Sequence, residues 1–132
     1  EMMVDLPRMT ATLDAVSSVD LPIWVGLTIG PEEGHDVSKL SAEIELREGG
    51  PLTEAVELAK GYGRVDAFCL MHSDVRLTER GVGTIRERWD GPLGAYAHAA
   101  NLVDGELTFD DSITPEALPT GLPIWLLYEA TK

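Results

Sequence analysis

The stretch DAFCLMHSD, residues 66–74, runs through five apolar positions and then stops at a histidine, a serine and an aspartate. An apolar run of this length without polar alternation reads as a strand covered on both faces, the kind found in parallel sheets. Working outward, LPIWVGLTI at 21–29 has the same character, and so does LGAYAHA at 93–99. LPIWLLYEA near the end supplies one more strand-like run, at 122–129. Between these runs the apolar spacing changes to that of helices. Asp5 caps a helix over 6–18, with Pro7 in its first turn and Leu6, Met9, Leu13 and Val16 on one face. Pro51 opens a second helix with Leu52, Ala55, Val56 and Ala59 as its buried stripe, closed by the glycines of Gly61-Tyr62-Gly63. A third helix turns Val82, Ile85 and Trp89 inward and Arg80, Arg86, Glu87 and Arg88 outward. Residues 30–50 read as a long acidic surface loop over one end of the sheet, with room for a short ordered stretch of its own, and 101–119 as loop with little periodicity.

Strands alternating with helices predict an α/β fold with a parallel sheet and right-handed crossovers. In such folds the chemistry collects at the carboxyl ends of the strands. His72 ends the 65–72 strand, His98 lies near the end of the 93–99 strand, and His35 falls in the loop after 21–29. All three histidines are thus expected on one edge of the sheet, accompanied by Asp36, Asp74, Glu129 and Glu1. That edge suits ligand binding or proton transfer, although a strand-end histidine serves equally well as a hydrogen-bonded structural residue. A metal needs three or four converging ligands, and no short His or Cys spacing here enforces convergence. Cys69, three residues before His72, is expected on the opposite face of a regular strand, in the core.

Charge and length restrict the function. The 132 residues suit one domain, and 23 acidic against 10 basic residues give a net charge of −13. Such a surface repels nucleic acid phosphates and anionic membranes. No apolar run approaches the roughly 20 residues of a membrane span. With one cysteine and no leader-like start, a cytoplasmic setting is the expectation. Glu1 stands where an initiator methionine is expected, so the chain reads as cut from something longer.

The segments EMMVDLPRM, LPIWVGLTIG, GGPLTEAVE, VDAFCLMHS and RERWDGPLGAYAHAAN, in this order and spacing, resemble landmarks of the homocysteine S-methyltransferase family. The resemblance covers roughly residues 1–117, and RERWDGPLGAY is its most specific part. It implies the second half of a (β/α)8 barrel, a fold of about 250 residues when whole, with Glu1 ending its fourth strand. It also implies methyl transfer to a thiol at a zinc ion, from a donor such as S-methylmethionine, a betaine or a methylfolate that the sequence does not select. Glu1 matches the family's acidic residue that receives the amino group of the substrate. Met71-His72 stands in place of the family's Asn-Cys, which makes His72 a candidate zinc ligand, and His98 replaces a residue that is commonly Asn. The strand-eight Gly-Gly-Cys-Cys has no counterpart in LPIWLLYEATK.

Two functions follow as expectations: a methyltransferase-like protein acting on a small thiol, or a non-catalytic barrel relative that binds a small molecule or a protein at the same edge. A self-contained open sheet of flavodoxin-like shape is a further fold alternative. Half a barrel leaves strand edges and inward-facing apolar residues uncovered, so self-association or pairing with the missing half is expected.

Overall fold

The computed structural model describes residues 2–30, 43–98, 100–103 and 106–109. Its elements alternate as β1 (Met2–Met3), α1 (Leu6–Val16), β2 (Ile23–Leu27), α2 (Leu52–Gly61), β3 (Val65–Asp74), α3 (Val75–Arg86) and β4 (Leu93–His98). Two short strands, β5 (Ala100–Val103) and β6 (Glu106–Phe109), follow as an antiparallel pair. The expected strand at 122–129, together with Glu1, His35, Asp36 and Glu129, lies outside the described residues.

Strands β1 to β4 form one sheet in chain order, and every neighbouring pair is parallel. This is the α/β architecture that the sequence predicts. Each crossover adds the next strand on the same side of the previous one, so right-handed connections bring all three helices to one face. The core records the result. Met9 and Leu13 of α1, Leu52, Ala55, Val56 and Ala59 of α2, and Val82 and Ile85 of α3 share one apolar cluster with Val25, Leu27, Phe68, Leu70, Leu93 and Ala95 of the sheet. A doubly wound fold reverses its strand order and covers both faces. The order here does not reverse among the described strands.

The opposite face carries no helix among the described residues. Strand alternation and the register place Met2, Trp24, Gly26, Ala67, Cys69, Met71, Gly94 and Tyr96 on it. Trp24 is 70% exposed and Met2 41%. Cys69 is therefore half-buried on the helix-free face and not a core residue, a correction to the sequence reading. Its sulfur accounts for Gly94 opposite, where a Cβ would come within 3.3 Å of Sγ.

Local chemistry sets the ends of the elements. The Asp5 carboxylate accepts the Arg8 amide at 2.7 Å and starts α1. Asp74 does the same for α3, accepting from the Arg76 amide at 2.8 Å. Helix α3 stops at Arg86, so Glu87, Arg88 and Trp89 lie beyond it. Trp89 still packs inward, edge-on to Phe68 at 5.2 Å between centroids. The Arg86 guanidinium does not point outward as expected but folds back onto the carbonyls of Trp89 and Gly91. Gly81 lets α3 sit close on the sheet, since a Cβ there would meet Ile29 at 2.5 Å and Leu70 at 2.7 Å.

Three further expectations need correction. The 30–50 loop is not wholly a solvated surface, because Ile44 and Leu46 are buried and bridges tie Leu46 to Ile29 and Glu45 to Pro51. The β5–β6 pair occupies sequence read as loop. Finally, β3 does not end at His72 but runs on to Asp74 through a bulge: Met71 pairs with Tyr96, Ser73 with Ala97, and His72 is the extra residue. His72 adopts φ +48°, the left-handed region that side chains other than glycine's rarely occupy.

This backbone yields a stability prediction. His72→Gly should retain the fold, whereas His72→Val should be less stable than His72→Gly by about 1–2 kcal/mol, because a β-branched side chain suits the left-handed region least. Urea denaturation of the two variants measures the difference. Equal midpoints would show that position 72 does not hold this conformation.

Candidate functional site

The carboxyl ends of β2, β3 and β4 form the rim where a parallel α/β fold gathers its functional groups. The bulge in β3 shapes that rim. The His72 ring lies 4.9 Å from the Tyr96 ring, tilted by 59°, and Tyr96 belongs to the helix-free face. The extra residue thus shifts the alternation, so His72 shares a face with Cys69; a regular strand would have put them on opposite faces.

The peptide group of His72 is fixed as firmly as its ring. Its carbonyl accepts a hydrogen bond from Nη2 of Arg47. Next to it, Ser73 is buried, accepts the Ile29 amide at 3.1 Å, and donates to the Met71 carbonyl at 3.1 Å. A left-handed residue costs on the order of 1–2 kcal/mol. A hydrogen bond from a charged donor contributes roughly 1.5–3 kcal/mol, which is enough to offset that strain.

Arg47 reaches this place from the segment after β2. Its amide donates to the Thr28 carbonyl at 3.0 Å, and Gly30 donates to the Glu45 carbonyl at 3.2 Å, so residues 45–47 extend the sheet edge beyond β1. The sequence reading missed Arg47. The signal was present in AEIELRE, residues 42–48, whose strict polar–apolar alternation is that of a strand. Asp74, expected at the rim, is there, but its carboxylate is engaged with the Arg76 amide and with the Arg76 guanidinium at 2.6 Å.

His98 closes β4 opposite Asp74, one rung beyond the Ser73–Ala97 pair, which places its backbone at the same rim as His72; its side chain lies outside the described residues. Glu1 lies outside them as well. The donor set was tested for zinc. Among the described residues no three His, Cys, Asp or Glu side chains gather to hold a metal. Burial raises the pKa of the Cys69 thiol above its ordinary value, with a smaller opposing effect from the Gly94 backbone.

No helix of the described residues is long and apolar enough to cross a membrane. No known protein family, curated protein or solved structure matches this chain.

The Cys69 environment sets a pH dependence. Its folded-state pKa is raised, so its contribution to stability is present below the thiol's ordinary range and is lost as pH rises through the raised value. Alkylation by iodoacetamide, which requires the thiolate, should therefore reach half its limiting rate at a higher pH in the folded chain than in the urea-unfolded chain. Coincident profiles would contradict the half-buried placement.

Proposed function

We propose that the chain forms the second half of a homocysteine S-methyltransferase-like (β/α)8 site and takes part in methyl transfer to a small thiol. The observation that supports this most is the unbroken parallel order β1-β2-β3-β4 with the described helices on one face. Successive barrel units are built in that way. The order also runs through the same segments that resemble the family, from LPIWVGLTIG to RERWDGPLGAY.

In the proposed reaction the sulfur of the acceptor attacks the methyl carbon of the donor. The new S–C bond forms as the donor's bond to that carbon breaks, and the electron pair of the broken bond stays with the donor. The thiol must lose its proton first. His72 is the group proposed to take it, since its ring stands at the rim beside Tyr96. Glu1 is proposed to receive the amino group of the acceptor, as the resemblance implies. No step is routed through zinc, because the described donor set does not supply its ligands.

A second reading, a non-catalytic relative that binds a small molecule at the same rim, is favoured by one observation: among the described residues no three His, Cys, Asp or Glu side chains gather to hold a metal. Product analysis separates the two. With L-homocysteine and S-methylmethionine, the full chain should form methionine, and His72→Ala should lower turnover about 100-fold or more while the far-ultraviolet spectrum stays unchanged. Binding of homocysteine without methylation from S-methylmethionine, a betaine or a methylfolate would select the second reading.

The half-barrel reading also names a partner. Strand β1 covers only Gly26 and Leu27, and beside it an apolar groove of about 200 Å³ runs between α1 and the edge of β2, lined by Met9, Leu13, Val16, Ile23 and Val25. The edge and the exposed Trp24 suit pairing with the complementary half of a barrel, supplied by a second copy or by a separate segment. Sedimentation velocity of the chain over a hundredfold range of concentration should show self-association, which Trp24→Ser should weaken. A single monomeric species throughout would count against this partner.

A further inference from the structure

The four-stranded sheet has two open edges among the described residues, and they differ in kind. At one end β1 pairs only with β2, and at the other β4 pairs only with β3. The β1 edge is short. Met2 and Met3 lie against Gly26 and Leu27, the Glu48 amide takes the Val4 carbonyl just beyond them, and Ile23, Trp24 and Val25 have no described strand on that side. The apolar groove lined by Met9, Leu13, Ile23 and Val25 opens at this level. The β4 edge is longer and runs from Leu93 to His98.

The helix-free face makes a second demand. Parallel sheets are found with both faces covered, yet Trp24 and Met2 are exposed there. A single added strand satisfies one edge and leaves that face open. Two copies paired through their β1 edges would run those strands antiparallel and leave both β4 edges bare. A second copy placed head to tail behaves differently. When its β4 lies beside β1 of the first chain, a twofold rotation about an axis along the strands sets β4 of the first chain beside β1 of the second, and no edge of the described sheet remains. The count agrees. Two four-stranded sheets reach the roughly eight strands at which a closed barrel has an interior that side chains just fill. The described helices share one face and come out on the outside, while Trp24, Cys69, Met71 and Tyr96 come out on the inside.

We infer that two copies of this chain close one barrel, with β4 of each beside β1 of the other, and that the functional rim is complete only in the pair. Resting on the half-barrel reading, this assembly fixes the occupant of the open edge, its symmetry and the make-up of the site. The six-residue β4 outruns the two-residue β1, so its first residues cover the groove beside Ile23 and Val25. A twofold axis along the strands keeps every carboxyl end at the same mouth. His72 and Tyr96 of one chain therefore face the same two residues of the second chain across it, and one cavity serves both.

Sedimentation equilibrium and cross-linking of the full chain test the assembly. The native chain, which needs no variant, should show monomer and dimer and nothing larger, because the closed pair offers no edge to a third copy. In a Cys69→Ser background, Met2→Cys and Tyr96→Cys put one thiol on the inner face of each edge strand. A short bismaleimide should join a mixture of these two variants about tenfold faster or better than either alone, since neighbouring strands hold the thiols at high effective concentration. The chain carrying both substitutions should give a covalent dimer without a ladder of larger species. A monomer at every concentration, a ladder, or equally fast cross-linking of Met2→Cys alone would overturn the inference. The two levels fail separately. A closed dimer without methyl transfer leaves the assembly standing and removes the methyltransferase reading, whereas methyl transfer by a monomer does the reverse.

Discussion

A right-handed crossover between neighbouring parallel strands can place its helix on one side of the sheet only. When strands are added in chain order without reversal, as β1 to β4 are, every helix meets the same face. The rest of the molecule follows from that constraint. One face becomes a dry core in which Phe68 and Leu70 of the central β3 are 0% and 1% exposed, and the other carries Trp24, Met71, Cys69 and Tyr96 with no helix over them among the described residues. A sheet of this kind is complete only when it closes on itself or finds another layer. The exposed Trp24 is a consequence of the same topology.

The rim depends on a second, smaller constraint. β3 is long, ten residues, and would carry its alternation unchanged to Asp74 if it were regular. The extra residue at 72 alters this. It turns Ser73 inward, where its hydroxyl links the Ile29 amide to the Met71 carbonyl, and it turns His72 toward Tyr96. The strain of a left-handed histidine is of order 1–2 kcal/mol, about what one charged hydrogen bond returns. Arg47, from a different part of the chain, supplies that bond. The position of the imidazole is therefore set jointly by β3 and by the segment after β2, and a change in either moves it.

Much of the fold was legible in the sequence because its signals were local. The apolar runs VDAFCLM and IWVGL have only one sensible reading at their length, and Asp5, Pro7 and Pro51 mark helix starts through their own backbone chemistry. The misses share a physical cause. Whether β3 stops at His72 or bulges and continues depends on β4 alongside it, which no local pattern reports. Trp89 was assigned to α3 because its spacing from Ile85 fits a helix; the chain leaves the helix first and Trp89 reaches Phe68 from the turn. Two misses were avoidable. The alternation in AEIELRE and the Asp104-Gly105 dipeptide between β5 and β6 are both strand signals in plain view.

The candidate site was less legible, for a reason that also bears on its chemistry. The histidine that follows the apolar run is visible in the sequence, but its consequence depends on what stands around it. A metal needs several ligands to stay in place. Beside His72 stand the Tyr96 ring, from β4, and the Arg47 guanidinium on its carbonyl, from the segment after β2. What the rim can do is therefore set by contacts between distant parts of the chain, which no local pattern in the sequence reports.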